Sequence, residues 1–150
     1  MPQYFMPSLI VLVALVSSPS ASAEQKLIDV VFARDVVNRE PVRPFEPPAY
    51  CEKEAGPSRP VPIIESGTEG RVFFWNRIES SSSEAALRHT WYKNGVKLAE
   101  INLRVRRSPG FRTWSVKKII PKHHVGKWKI VVSTANDPAG VLCVAHFVVK

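Results

Sequence analysis

From Gly70 onward the apolar residues come in short runs separated by turn signals, the rhythm of antiparallel strands in a sandwich or barrel. Arg71 to Ile78, Leu87 to Lys93, Arg112 to Ile120, Lys127 to Ser133 and Val141 to Val149 each read as a strand. Asn94-Gly95 joins the second of these to a further strand from Val96, because a type I′ hairpin turn needs positive φ at both central residues. Within that strand the apolar parity changes, from Val96 and Leu98 to Ala99, Ile101, Leu103 and Val105, which predicts a bulge near Leu98. No window holds a helical period or a capped helix, and there is no internal repeat.

Upstream, Lys26 to Arg34 is rich in β-branched residues and reads as a first strand. Residues 41–62 then carry seven prolines, at 41, 44, 47, 48, 57, 60 and 62. That density removes backbone donors and excludes a helix or central strand, so the segment is expected to cross the domain as an extended strap. Glu79 to Glu84 lacks glycine and reads as a solvated connection rather than a phosphate cradle. Alternation assigns the faces. Trp91, Trp128 and Ile130 are expected inside, with Arg88, Thr90, Tyr92, Lys127, Lys129 and Val131 turned to solvent. On the next strand Trp114 and Val116 are expected inside. Arg112 would then share their side at the sheet's end, where its guanidinium could stack on an indole or take a buried carboxylate.

Laid out this way, Trp91-Tyr92-Lys93-Asn94-Gly95 resembles the third strand and turn of the immunoglobulin-like sandwich, with Trp91 as its buried tryptophan. Trp114-x-Val116-x-x-Ile119-x-Pro121 followed by Gly126-x-Trp128-x-Ile130 is similar to the approach to that fold's tyrosine corner. Trp128 stands for the corner tyrosine and Ile130 for the second core cysteine, so the inter-sheet disulfide of antibody domains is missing. Cys51, 40 residues before Trp91, is too distant to replace the first one. The fold class expected is therefore all-β, an antiparallel immunoglobulin-like sandwich preceded by a proline-rich strap. A second resemblance rests on His89-x-Trp91-Tyr92-x-Asn94-Gly95, Arg112-x-Trp114-Ser115, Gly126-x-Trp128-x-Ile130 and Gly140-x-Leu142 with Phe147. These look like the bacterial DUF2914 family, a domain of unknown function, over roughly residues 27 to 149. The resemblance implies a small envelope-associated or exported β-domain and no particular activity.

The N-terminus changes the picture of where such a domain works. Leu9 to Val16 is an apolar run too short to cross a bilayer, and Ala21-Ser22-Ala23 gives the small-x-small pattern of a signal-peptidase site. Residues 2–8 lack Lys and Arg, so the usual basic leader is missing and an uncleaved anchor is the alternative. The organisation expected is a signal peptide over 1–23, the first strand and strap over 24–69, and the main part of the sandwich over 70–150. Export would place Cys51 and Cys143 where disulfides persist. Their pairing would tie the strap to the last strand; otherwise Cys143 is a small buried hydrophobe and Cys51 is free.

Of 150 residues, 45% are apolar and 23% charged, enough for one packed domain, and the net charge is +8. Arg104, Arg106 and Arg107 cluster before a turn expected at Pro109-Gly110, and Lys117, Lys118, Lys122, Lys127 and Lys129 crowd the following strands. In an exported protein such a balance points to envelope polyanions rather than nucleic acid. No Gly-x-Ser-x-Gly elbow, paired carboxylates, HxH, HxxxH or CxxC spacing is present, so no catalytic residue, metal or cofactor is implied. His89, His123, His124 and His146 carry the alternative of a metal-binding envelope protein, and an enzyme of unrecognised type is a third reading. The leading expectation is a non-enzymatic periplasmic or secreted module. It would bind an envelope polymer or another envelope protein, with a peripheral contact to the membrane surface as a further option. Arg88, Tyr92, Lys127, Lys129 and Arg112 are its candidate binding residues.

Overall fold

The computed structural model describes residues 25–52, 56–83 and 85–150, so the expected signal peptide lies outside the described residues. Among the described residues nine strands follow one another: β1 Gln25–Val37, β2 Glu40–Pro44, β3 Ile63–Ile64, β4 Arg71–Ser80, β5 Ala85–Lys93, β6 Val96–Val105, β7 Ser108–Lys118, β8 Gly126–Thr134 and β9 Asp137–Val149. They build sheet A, ordered β2-β1-β4-β7, and sheet B, ordered β3-β9-β8-β5-β6. All pairings are antiparallel except β3 with β9. The all-β, immunoglobulin-like sandwich is thus the fold.

Alternation on sheet B sends Trp91, Trp128, Ile130, Val132, Cys143, Ala145 and Phe147 into the space between the sheets, where Phe32, Val72, Phe74 and Ile78 of sheet A meet them. Trp128 stacks on Phe147 at 5.5 Å, and Phe32 touches both Phe74 and Phe147 at 4.9 and 4.8 Å between centroids. Each such aromatic contributes about 2–3 kcal/mol by leaving water, and the contacts fix its orientation. The Trp128 indole N–H also donates to the His124 carbonyl at 2.8 Å, four residues upstream, which gives the corner expected at this position its hydrogen bond.

The local signals are realised as read. Asn94 and Gly95 have φ of 47° and 81° in the β5–β6 turn. Trp91 pairs with Ala99 but Tyr92 with Lys97, which leaves Leu98 as the extra residue of a bulge.

The faces of β7 are reversed from expectation. Thr113 and Ser115 are buried between the sheets, whereas Trp114 and Val116 lie on the outer side of sheet A, Val116 with 43% of its surface exposed. Alternation failed because sheet A is apolar on both faces. Phe73 and Trp75 are also outward and yet buried, Phe73 beside the Arg71 guanidinium and Trp75 under the β1–β2 turn. The Trp75 indole N–H donates to the Arg39 carbonyl at 2.8 Å, and the Arg39 guanidinium lies over the rings of Phe111 and Trp114. The turn expected at Pro109-Gly110 is instead made by Arg106 and Arg107, with Pro109 inside β7. That strand is a sheet edge, where a missing N–H costs no ladder bond.

Ser115 faces inward to complete a buried polar chain. The His89 Nε2–H donates to Asn76 Oδ1 at 2.8 Å, because an amide oxygen only accepts. His89 Nδ1 is thereby the acceptor for the Ser115 hydroxyl at 2.7 Å, and Ser115 Oγ accepts the Trp91 indole N–H at 3.1 Å. The chain joins β4 and β7 of one sheet to β5 of the other.

Described parts of the proline-rich stretch bond to β1 and β9. Residues 40–44 pair with β1 as a sheet-edge strand. The Phe45 N–H then bonds the Phe32 carbonyl, Glu52 bridges Val144, and the Val148 N–H bonds the Pro62 carbonyl. Cys51 is joined to Cys143 by a disulfide.

Candidate functional site

The outward residues of sheet B form rows set by register. Tyr92 lies between Lys97 and Lys129, and Lys129 is followed by His146. Thr90 lies between Glu100 and Val131, followed by Val144. Tyr92 and Lys129 therefore meet as the β5–β8 pairing requires, with the Lys129 ammonium 5.0 Å from the centre of the Tyr92 ring. Thr90 faces outward as well but is only 7% exposed, a departure from the solvent position expected for it.

Beside this row a recess of about 480 Å³ is lined by Gly56, Pro57, Asn94, Gly95, Lys127, Trp128, Lys129 and His146. Its lip is fixed locally. Asn94 Oδ1 accepts the Lys127 N–H at 3.0 Å, and the Asn94 N–H bonds the Lys127 carbonyl at 2.7 Å. Gly126 makes room for this clasp: its φ is +145°, and a Cβ there would stand 2.7 Å from Asn94 Oδ1. Gly126→Ala should therefore destabilise the fold by about 1–3 kcal/mol, through backbone strain and displacement of Asn94. Urea unfolding checks this, and an unchanged midpoint would mean the clasp relaxes freely.

Lys127 and Lys129 have no carboxylate partner among the described residues. His146 Nε2 is buried without a hydrogen-bond partner among them. Burial lowers the His146 pKa from its usual range; Glu52 opposes that shift and Lys129 adds to it. Glu52 itself is held below the usual carboxylate range by hydrogen bonds from the Ser58 hydroxyl and N–H. The recess can thus take an anion on the Lys127 and Lys129 ammonium groups, with a neutral imidazole beside them and the Tyr92 ring against Lys129.

The other candidates fall elsewhere. Arg88 shares the outer face of sheet B, but it is occupied by Glu100 at 3.0 Å, Asn102 Oδ1 at 3.1 Å and the Ala135 carbonyl at 3.3 Å. Arg112 is on the outer face of sheet A, remote from the recess by topology. It forms an ion pair with the exposed Glu40, not a buried carboxylate, and the indole of Trp114 is covered by Arg39 instead. Of the histidines, His89 is consumed in the core. The His124 Nδ1 accepts the Ile120 N–H at 2.9 Å, its ring abuts Trp128, and its pKa is lowered by burial with help from Lys117 and Lys93. No group of three or more His, Cys, Asp or Glu side chains capable of holding a metal occurs among the described residues. His146 was named in the sequence only as a possible ligand. Its place in the recess depends on the β8–β9 register, which no local pattern announces.

Fold and surface together define a class: a disulfide-tied, basic immunoglobulin-like β-sandwich with one partly open charged face. Within it, residues 84–149 match the family model described as a protein of unknown function, DUF2914. That span contains every motif residue on which the resemblance was based and takes in β5 through β9. It is shorter than the 27–149 expected, leaving β1 through β4 outside the match. No curated protein matches the chain.

Proposed function

We propose that the protein is a non-enzymatic, exported binding module of the bacterial envelope that takes an anionic partner on the outer face of sheet B. The observation that carries this reading is the recess lined by Lys127, Lys129 and His146, with Tyr92 against Lys129 at its side and neither lysine having a carboxylate partner among the described residues. Long-range attraction would bring the partner in, and Tyr92 and the strap's Pro57 would give it something to pack against. The Cys51–Cys143 bridge supports an oxidising compartment, in keeping with export.

Exposed charge pairs are individually worth about 0–1 kcal/mol, so several must act together and binding must weaken as salt shortens the Debye length. Lys127→Glu with Lys129→Glu is expected to abolish binding to phosphatidylglycerol vesicles, whose headgroups are phosphodiesters, at low salt, with the melting temperature nearly unchanged. Co-sedimentation measures it. Binding equal to wild type, or indifferent to salt, would return this face to a plain solvated sheet.

A further inference from the structure

At the opposite end of sheet B, where β5 begins and β6 ends, a second and larger recess of about 910 Å³ is lined by Ser83, Ala85, Ala86, Asn102, Leu103, Arg104, Arg106 and Arg107. We infer that this recess is a binding site for a terminal phosphate monoester, held by Arg104, Arg106 and Arg107 with the Asn102 amide.

The construction is specific to this end of the molecule. Asn102 and Arg104 occupy alternate positions of β6 and so share a face, and Arg106 and Arg107 form the β6–β7 turn next to them. Arg104 is paired in register with Ala86, whose methyl group leaves space in front of the guanidinium. Arg107 is anchored by donating its Nε–H to the Ser81 carbonyl at 2.9 Å, which holds the head group at the rim. Arg104 and Arg106 have no hydrogen-bond or ion-pair partner among the described residues. Glu100, the acid nearest along β6, is already shared by Arg88 and Lys97. Asn102 Oδ1 accepts from Arg88, so its Nδ2 donors are left for a ligand.

Three guanidinium groups around one recess are more than a single carboxylate can use. A phosphate monoester carries about two negative charges near neutral pH and three terminal oxygens, which planar guanidinium forks meet with paired hydrogen bonds. The recess is far larger than a phosphate group, so the anion is the end of a larger molecule, which would rest on Ala85, Ala86 and Leu103. The recess of lysines proposed above plays no part in this assignment, and the two sites can fail separately.

The test is titration of the disulfide-bonded protein with glucose 1-phosphate, followed by amide chemical shifts, with potassium chloride at matched ionic strength as the reference. Vesicles containing phosphatidic acid form the second arm, since they present the same group on a lipid. Arg104→Ala with Arg106→Ala should weaken binding about tenfold or more, as expected for loss of charged hydrogen bonds. Arg104→Lys with Arg106→Lys should fall between, because charge is kept and the fork is lost. Binding of the soluble ester assigns a soluble ligand, and arginine-dependent binding to vesicles alone assigns a lipid. If neither probe binds in an arginine-dependent way, or if the lysine variant binds as well as wild type, the site is diffuse charge and the inference is overturned. Lys127→Glu with Lys129→Glu should leave the glucose 1-phosphate response unchanged.

Discussion

Replacing Cys51 and Cys143 together with serine should cost roughly 4–5 kcal/mol of stability, the value the chain-entropy model gives for closing a loop of this size. The bridge spans 92 residues and so constrains most of the described chain in its unfolded state. It also acts locally. Cys143 is fully buried on β9, and the antiparallel contact between Glu52 and Val144 lies directly beside it. Without the bond, that end of the strap is held by two backbone hydrogen bonds at 2.8 Å and by the Glu52–Ser58 cap. At about 2–4 °C per kcal/mol for a chain of this length, the melting temperature should fall by roughly 10–20 °C. Calorimetry of the double serine variant against the oxidised protein measures this directly. A fall of only a degree or two would mean that the strap's backbone contacts, among them the Phe45 N–H to the Phe32 carbonyl, and the burial of Phe45 suffice.

Much of sheet B was legible in the sequence because its signals are local. Asn94-Gly95 specifies its turn through backbone conformation alone, and the parity change after Leu98 can only be absorbed by an extra residue. Trp91, Trp128 and Ile130 sit on a sheet with one buried face, where alternation identifies the core. Sheet A broke the rule because β4 and β7 carry aromatic residues on both faces, and the covering hairpin, made from residues some 35 to 75 positions away, is invisible to a period of two. With Trp114 and Ser115 adjacent, hydrophobicity favoured turning the tryptophan inward. The structure turns the serine inward, because the buried His89 and Trp91 need its hydroxyl.

The binding face was legible by the same logic and no further. Alternation put Tyr92, Lys127 and Lys129 on the outer side, and pairing brought Tyr92 to Lys129. The neutralisation of Arg88 depends on Glu100 and Asn102 arriving across the bulged β5–β6 pairing. His146 depends on β9, and Pro57 on the path of the strap. These are long-range placements whose causes lie in the closure of the sandwich rather than in any segment.

Acid should destabilise the protein through His89 well before its carboxylates are protonated. The imidazole is fully buried, and burial pushes its pKa down from the ordinary 6.5 to about 3. Its two nitrogens are committed as donor to Asn76 and acceptor from Ser115, so a second proton would force the Ser115 bond to reverse, leave the Ser115 hydroxyl hydrogen without its acceptor and place a charge in the core. A folded-state pKa below the unfolded value means that the unfolded chain takes up a proton the native state refuses. The contribution of neutral His89 is therefore fully present above about pH 6.5 and is lost as pH falls toward 3. The slope is about 1.4 kcal/mol per pH unit, reaching on the order of 4–5 kcal/mol at the bottom of the window. His124 and His146 are shifted in the same direction by partial burial and add to the wild-type slope. The comparison that isolates His89 is with His89→Gln, which should be less stable at pH 7 because it disturbs the polar chain. Its stability should fall less steeply than wild type between pH 6 and 4, so that the gap between the two proteins narrows with acid. Urea midpoints across that range, together with the His89 imidazole resonance, decide the matter. A gap that stays constant with pH, or an imidazole that titrates near 6 in the folded protein, would show that the core admits the proton.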